Sequence, residues 1–128
     1  MLRVLLIVDD DENISASMPE LLAVEGYTCL SATSGSEGLR LLESERPLLV
    51  ILDLRLLEMD GAEFLLRKAA NPSVANIPVI MVTAYRNVPI PEGAIAVAQL
   101  YKPFGIEELL AEIKRHIAPT LEPEPEAA

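Results

Sequence analysis

Short runs of consecutive hydrophobic residues recur along the chain, separated by stretches in which hydrophobic residues follow helical spacing. The clearest run, Leu48 to Leu52, follows Pro47 and leads directly to Asp53. A run without alternation predicts a strand buried on both faces, as in a parallel sheet that helices cover. This pattern favours an α/β domain.

The same patterns predict the order of elements. Strands are predicted over residues 3–8, 27–32, 48–53, 77–82 and 96–101, and helices over residues 12–25, 34–44, 61–70 and 106–117. Ser34 and Glu37 have capping-box spacing, and Gly26 is expected to end the first helix. On the third helix, Arg67 and Lys68 are interpreted as a solvated face. The alternation predicts a flavodoxin-like, doubly wound five-stranded parallel sheet in the order 2-1-3-4-5, with helices on both faces.

The segment between the fourth and fifth predicted strands does not suit a regular helix. Pro89 and Pro91 have no amide donor, and a proline inside a helix costs about 3 kcal/mol. Gly93 is also unfavourable there, by about 1 kcal/mol. We therefore expect the fourth helix to be short or irregular, with at most a turn from about Glu92 onward.

Composition and charge exclude several classes of function. The 128 residues suit one domain, and 20 acidic against 10 basic residues give a net charge of −10. This charge disfavours direct nucleic-acid binding, which needs a basic face. No apolar run reaches membrane-spanning length and Cys29 is the single cysteine, so we expect a cytoplasmic protein without membrane insertion. Residues 119–128, rich in Pro and Glu, are expected to form a disordered tail or linker stub after a domain over residues 1–118.

Acidic residues directly follow two of the predicted strands. Asp9 and Asp10 come after the first strand, and Asp53 comes after the apolar run of the third. These strands are neighbours in the predicted order, so the three carboxylates would meet at one edge of the sheet. Like charges repel there, and oxygen-only ligands favour a hard cation such as Mg²⁺. The alternative is that the acids cap a loop or helix, which is the preferred interpretation for Asp11.

The fourth and fifth predicted strands end at the same edge, in Thr83-Ala84 and in Lys102-Pro103-Phe104. A threonine and a lysine at such places are usually a turn residue and a solvated charge. Beside a carboxylate and a metal ion, however, an ammonium group offsets the charge of a phosphoryl group and a hydroxyl donates to it. The four strand ends together therefore indicate a place for a phosphoryl group.

Four stretches of the chain resemble the receiver domain of bacterial two-component response regulators, and the resemblance covers roughly residues 3–117. The stretches are Leu5 to Glu12, Leu52 to Leu54 with Met59 to Gly61, Val82 to Ala84, and Lys102 to Phe104. Each stretch is a weak signal alone. The four in this order, each at the end of a strand, are highly specific.

The resemblance implies a role for each matching acidic position. Asp53 would accept a phosphoryl group from a histidine kinase or a phosphotransfer protein. Asp10 would bind Mg²⁺ directly and Asp9 chiefly through water, with the backbone carbonyl of Arg55 as a further ligand. The domain would not be an enzyme in any other sense, and it would signal through a protein–protein surface to a partner that the sequence does not identify.

The resemblance also assigns the polar residues of the last two strands and shows departures from the family pattern. Thr83 would hydrogen-bond the phosphoryl group and Lys102 would pair with it, and the Lys102–Pro103 peptide bond would be cis. Leu57 replaces a usual proline, and Gln99 stands where the family has a switch aromatic. Because residues two apart share a face of a strand, Tyr101 is a possible substitute for that aromatic.

The sequence also bears on three other interpretations. One is an interaction module that keeps this fold and pocket but signals without phosphate, and phosphorylation by a small phosphodonor would distinguish it from a phosphoacceptor. A phosphatase with Asp53 as nucleophile would require a general acid two residues later. The chain has Arg55 at that position, which counts against a phosphatase. A nucleotide carrier is disfavoured because no Gly-rich loop follows the first strand.

Overall fold

A computed structural model of the chain describes residues 3–56, 58–84 and 92–117. The elements are β1 (Val4–Val8), α1 (Glu12–Val24), β2 (Thr28–Ala32), α2 (Gly35–Glu45), β3 (Leu49–Asp53), α3 (Gly61–Ala69), β4 (Val79–Thr83), β5 (Ala98–Tyr101) and α4 (Ile106–His116). The predictions for Leu57, for the segment with Pro89 and Pro91, and for the tail over residues 119–128 lie outside the described residues. In this described part of the chain, every helix is too short or too polar to span a lipid bilayer.

The five strands form one parallel sheet in the order β2-β1-β3-β4-β5, which confirms the predicted flavodoxin-like architecture. Val8 at the end of β1 lies opposite Leu52, one residue before Asp53. The end of β4 lies between β3 and β5, with Thr83 opposite Tyr101. Because all strands run in the same direction, the residues that follow them share one edge of the sheet.

Hydrophobic clusters on the two faces of the sheet hold the helices in place. One cluster packs α2 and α3 against the sheet, with Leu42 and Phe64 fully buried. The other packs α1 and α4 against the opposite face, with Leu22 and Ile113 fully buried. Taking one such side chain out of water contributes roughly 2 kcal/mol. β3 is buried throughout, as the uninterrupted apolar run predicts.

The sequence signals at the helix ends are confirmed. Ser34 is the N-cap of α2, and its Oγ accepts the N–H of Glu37 at 3.2 Å. After α1, Gly26 has a φ of 92°, and the N–H of Tyr27 donates to the carbonyl of Leu22. This backbone pattern is a Schellman motif, in which glycine takes the left-handed conformation at low cost. It turns the chain from α1 into β2.

Two predictions about exposure are wrong. Lys68 is only 5% exposed, because the connection after α3 folds back over it and the carbonyl of Ala75 accepts from its Nζ at 2.8 Å. Burial holds the pKa of Lys68 below its ordinary value. Arg67, by contrast, lies on the solvated face as predicted and pairs with Glu63. Leu48 precedes β3 and is 41% exposed, so the strand begins one residue later than predicted.

The described part of the connection between β4 and β5 contains no helix. Residues 92–97 form a turn at Glu92 and Gly93 and then an irregular approach to β5. Gly93 has a φ of 92°, which is unfavourable for residues with a side chain. This agrees with the expectation of at most a turn from Glu92 onward, whereas the preceding residues 85–91 are not described.

Candidate functional site

The site begins at Asp53, the last residue of β3. Its side chain lies at the strand end and the residue is 7% exposed. The N–H of Arg55 donates to Asp53 Oδ1 at 3.1 Å, and the N–H of Leu54 donates to the carbonyl of Val82 at 3.0 Å. Arg55 itself is exposed. The turn that follows β3 therefore fixes the carboxylate of Asp53 while its backbone stays bonded to β4.

The two acids after β1 face Asp53. Asp9 is buried and Asp10 half-buried. The N–H of Asp11 donates to Asp9 Oδ1 at 2.9 Å, which holds the Asp9 carboxylate over the turn into α1. One oxygen from each of Asp9, Asp10 and Asp53 lies within 4.8 Å of the others. The structure thus brings together the three carboxylates that the sequence places at neighbouring strand ends.

Lys102 adds a positive charge to this cluster. Its Nζ lies 3.1 Å from Asp9 Oδ2 and 3.4 Å from Asp53 Oδ2. The backbone N–H of Lys102 donates to the carbonyl of Thr83 at 2.7 Å, and Thr83 is fully buried at the end of β4. The Lys102–Pro103 peptide bond is cis, as expected. Lys102 therefore joins the carboxylates of β1 and β3, and its backbone links it to the end of β4.

The environment shifts the titration of two groups in the site. The pKa of Asp53 is raised to about 6. Burial is the largest cause and the charge of Asp9 adds to it, while the N–H of Arg55 and the Lys102 ammonium act in the opposite direction. Burial also acts to lower the pKa of Lys102. The hydrogen bonds and charges of Asp9 and Asp53 outweigh that effect and hold the Lys102 pKa above its ordinary value. The site therefore has carboxylate charge that Lys102 only partly offsets.

The donor set fits a hard divalent cation. The three carboxylates together with one ammonium group leave two net negative charges when all are ionised. Mg²⁺ is bound in proteins through one or two carboxylates and several waters, with oxygen ligands throughout. A cation held by Asp9, Asp10 and Asp53 would remove the repulsion between these side chains.

A groove that the sequence analysis did not predict opens beside Lys102. It has a volume of about 530 Å³ and runs between α1 and the start of α4. Most of its lining is apolar: Ile14, Met18 and Leu21 from α1, and Pro103, Phe104, Ile106 and Leu109 around the start of α4. No sequence pattern joins these two helices, so the groove becomes visible only in the folded chain.

Comparison with known proteins gives the class of the protein. Residues 5–114 match the model of the response regulator receiver domain, and the chain belongs to this family of two-component signalling domains. Its relatives include Sporulation initiation phosphotransferase F of Bacillus subtilis, which is 34% identical over 116 residues, 88% of this chain and 92% of that protein. Transcriptional regulatory protein GlrR of Escherichia coli is 42% identical over 86 residues, which are 66% of this chain but only 19% of GlrR.

Solved structures agree with this assignment. A CheY-like response regulator receiver domain protein from Methanospirillum hungatei is 34% identical, with a TM-score of 0.81 over 90% of this chain and 93% of that chain. The response regulator protein TrrA from Thermotoga maritima, in complex with Mg²⁺-BeF, is 28% identical, with a TM-score of 0.81 over 91% of this chain and all of TrrA. Both similarities cover about nine tenths of this chain.

Proposed function

We propose that residues 1–118 form a phosphoacceptor receiver domain, which takes a phosphoryl group onto Asp53 from the phosphohistidine of a histidine kinase or a phosphotransfer protein. One observation carries the proposal: the buried Asp53 carboxylate faces two further acids and has Lys102 Nζ 3.4 Å from its Oδ2. Membership of the receiver family and the similarity to a sporulation phosphotransferase support the same function.

The ionised Asp53 carboxylate is the nucleophile in this proposal. One oxygen attacks phosphorus while the P–N bond of the donor phosphohistidine breaks, and the electron pair of that bond leaves on the imidazole nitrogen. The product is an acyl phosphate on Asp53. Lys102 would offset the charge of the phosphoryl oxygens and the Thr83 hydroxyl would donate to one of them. Apart from its own phosphorylation, the domain would catalyse no reaction.

Asp10 would bind Mg²⁺ directly and Asp9 chiefly through water, with Asp53 and the backbone carbonyl of Arg55 as further ligands. When bound, the cation supplies positive charge that offsets the carboxylates and the incoming phosphoryl oxygens. Binding to the native state alone stabilises a protein by mass action. Millimolar Mg²⁺ should therefore raise the melting temperature, and Asp10→Ala should remove that increase. A wild-type melting temperature that Mg²⁺ does not move would contradict the metal site.

Intact mass spectrometry tests phosphorylation directly. After incubation with Mg²⁺ and a small phosphodonor, the wild-type protein should gain the mass of one phosphoryl group and Asp53→Asn should gain none. Asparagine has almost the same shape as aspartate and its amide oxygen still accepts from Arg55, so the variant should fold. Equal gain by the variant would refute Asp53 as the acceptor. No gain by the wild type would refute phosphoacceptor function and favour an interaction module that works without phosphate.

The groove beside Lys102 supports a protein as the phosphodonor. Its apolar lining lies next to the charged cluster, so a donor that packs side chains against α1 would bring its phosphohistidine close to Asp53. Apolar surface of this kind contributes to protein association when it is removed from water. A small phosphodonor would not use the groove. The signal would then leave the domain through a second protein–protein surface.

A further inference from the structure

The carboxylate of Glu58, in the loop between β3 and α3, bonds to the first turn of α2. Its Oε2 accepts the hydroxyl of Ser36 at 2.5 Å, and its Oε1 accepts the backbone N–H of Ser36 at 3.1 Å. These donors hold the pKa of Glu58 below its ordinary value. We refer to this pair of hydrogen bonds as the Glu58–Ser36 clasp. It joins two segments that are 22 positions apart in the sequence.

The same loop packs closely against α2 and against its own start. A Cβ on Gly35 would lie 2.9 Å from the Sδ of Met59, so the loop and the first residue of α2 are in direct contact. At the other end, the N–H of Gly61 donates to the carbonyl of Leu54 at 2.7 Å. The described residues of the loop are therefore tied to Leu54 through Gly61 and to the start of α2 through Met59 and the clasp.

This loop is also the segment that orients Asp53. The N–H of Arg55 donates to Asp53 Oδ1, and the carbonyl of Arg55 is the proposed backbone ligand of the cation. Glu58 lies three positions after Arg55 in the same loop. A displacement of the loop would therefore move a donor to the nucleophile and a proposed ligand of the metal together.

We propose that the Glu58–Ser36 clasp positions the β3–α3 loop for cation binding and phosphorylation, which makes Glu58 and Ser36 positioning residues of the site. The proposal rests on the proposed function. Both hydrogen bonds are made to an ionised acceptor, and a carboxylate is favourable at the N-terminus of a helix. Because the clasp is exposed to solvent, its loss should weaken Mg²⁺ binding about two- to fivefold and should not abolish it.

Three variants and a control distinguish the loss of the clasp hydrogen bonds from the loss of a negative charge. Ser36→Ala removes the hydroxyl donor and leaves every charge of the protein in place. Glu58→Ala removes both hydrogen bonds, whereas Ser36→Thr keeps a hydroxyl and should behave like the wild type. Glu112→Ala is the control for charge, since it removes a half-buried carboxylate of α4 that pairs with Arg115 and lies near His116.

Two measurements follow the loop and the site independently. Amide hydrogen exchange at Arg55 and Gly61, measured without Mg²⁺, reports the loop itself, and calorimetric titration with Mg²⁺ reports the site. Ser36→Ala and Glu58→Ala should speed exchange at both amides and raise the Kd for Mg²⁺ about two- to fivefold. Phosphorylation by a small phosphodonor should slow by a similar factor at subsaturating Mg²⁺, while the melting temperature changes little.

Unchanged exchange in both clasp variants would overturn the proposal. Faster exchange with wild-type Mg²⁺ affinity would also overturn it, because the loop would then move without affecting the site. An equal loss of affinity in Glu112→Ala, with none in Ser36→Ala, would assign the effect to charge. A wild-type protein that neither binds Mg²⁺ nor accepts a phosphoryl group would overturn the proposed function, and the positioning role with it.

Discussion

The ammonium group of Lys102 lies closer to Asp9, at 3.1 Å from Oδ2, than to Asp53, at 3.4 Å. Asp9 and Asp53 are also proposed ligands of the cation. Lys102 and Mg²⁺ therefore interact with the same carboxylates, and a positive charge on one opposes binding of the other. The lysine has two opposed effects, since it would disfavour the metal while stabilising the phosphoryl group.

Lys102→Met should separate these effects. Removal of one positive charge beside the carboxylates should strengthen Mg²⁺ binding by about tenfold. Loss of a donor to the phosphoryl oxygens should slow phosphorylation at saturating Mg²⁺ by about tenfold or more. Calorimetry and the time course of intact mass measure the two quantities. Weaker Mg²⁺ binding in the variant, or an unchanged rate, would contradict this role.

The pKa of about 6 for Asp53 predicts a pH dependence of stability without metal. The folded state binds the proton of the Asp53 carboxyl group more tightly than does an unfolded aspartate, whose pKa is near 3.9. The stabilisation of the fold by this proton is therefore complete below pH 4 and is lost as pH rises through 6. In EDTA, the free energy of unfolding should therefore fall by about 2 kcal/mol more in the wild type than in Asp53→Asn between pH 4 and 7. Parallel profiles for the two proteins would contradict it.

Gly61 is expected to be intolerant of a side chain. A Cβ there would lie 2.7 Å from Leu54 Cα and 3.0 Å from the carbonyl oxygen of Asp53, both of them rigid backbone atoms. Gly61→Ala should destabilise the protein by about 1–3 kcal/mol and weaken Mg²⁺ binding. Gly105→Ala is the control, since among the described residues no atom beyond its chain neighbours lies within 4 Å of its Cβ position. Chemical denaturation of both variants tests the difference, and equal stability would refute the steric argument.

We expect the groove to affect the rate of phosphorylation by a donor protein but not the rate with a small phosphodonor. Leu21 lines the groove and is 50% exposed, whereas Val24 is 82% exposed on the same helix and is not part of the lining. Leu21→Arg should slow transfer from a donor protein by tenfold or more, on the order of a lost interface anchor. It should leave phosphorylation by a small phosphodonor unchanged. Val24→Arg should alter neither rate, and a similar loss in both variants would argue against docking in the groove.

The hypothesis from the sequence is that the missing switch aromatic is replaced by Tyr101. Tyr101 lies opposite Thr83 in the β4–β5 ladder, while Gln99 lies opposite Met81. Residues that are register partners in neighbouring strands project from the same face of the sheet, so Tyr101 lies beside Thr83. Tyr101→Ala should therefore weaken phosphorylation-dependent partner binding, and Gln99→Ala should not. Binding that remains equally dependent on phosphorylation in Tyr101→Ala would refute this coupling.

Much of the fold follows from local sequence signals. The buried run that becomes β3, the glycine after α1 and the cap at Ser34 each determine a short segment, and the parallel order follows from their alternation. The site was predictable for the same reason, because parallel strands bring their ends to one edge. The strand order alone was enough to predict that Asp9, Asp53 and Lys102 lie close together.

Other features depend on contacts between segments that no local pattern connects. Lys68 follows Arg67 on a charged stretch, and only the return of the chain over α3 buries it. The bonds between Glu58 and Ser36 join a loop to a helix start, and their residue types are ordinary at both places. The apolar groove likewise needs α1 and α4 side by side. Such features follow from tertiary packing, which cannot be read from the spacing of hydrophobic residues along the sequence.

Asp9 and Lys102 are 93 positions apart, and β5, which leads into Lys102, is an edge strand of the sheet. During synthesis, all three acids of the cluster therefore leave the ribosome well before the lysine. A partly folded chain with β1 to β4 docked but β5 detached would carry these acids at its centre without that counter-charge. Docking of the last strand both completes the sheet and relieves this repulsion, which favours all-or-none folding over a stable four-stranded intermediate.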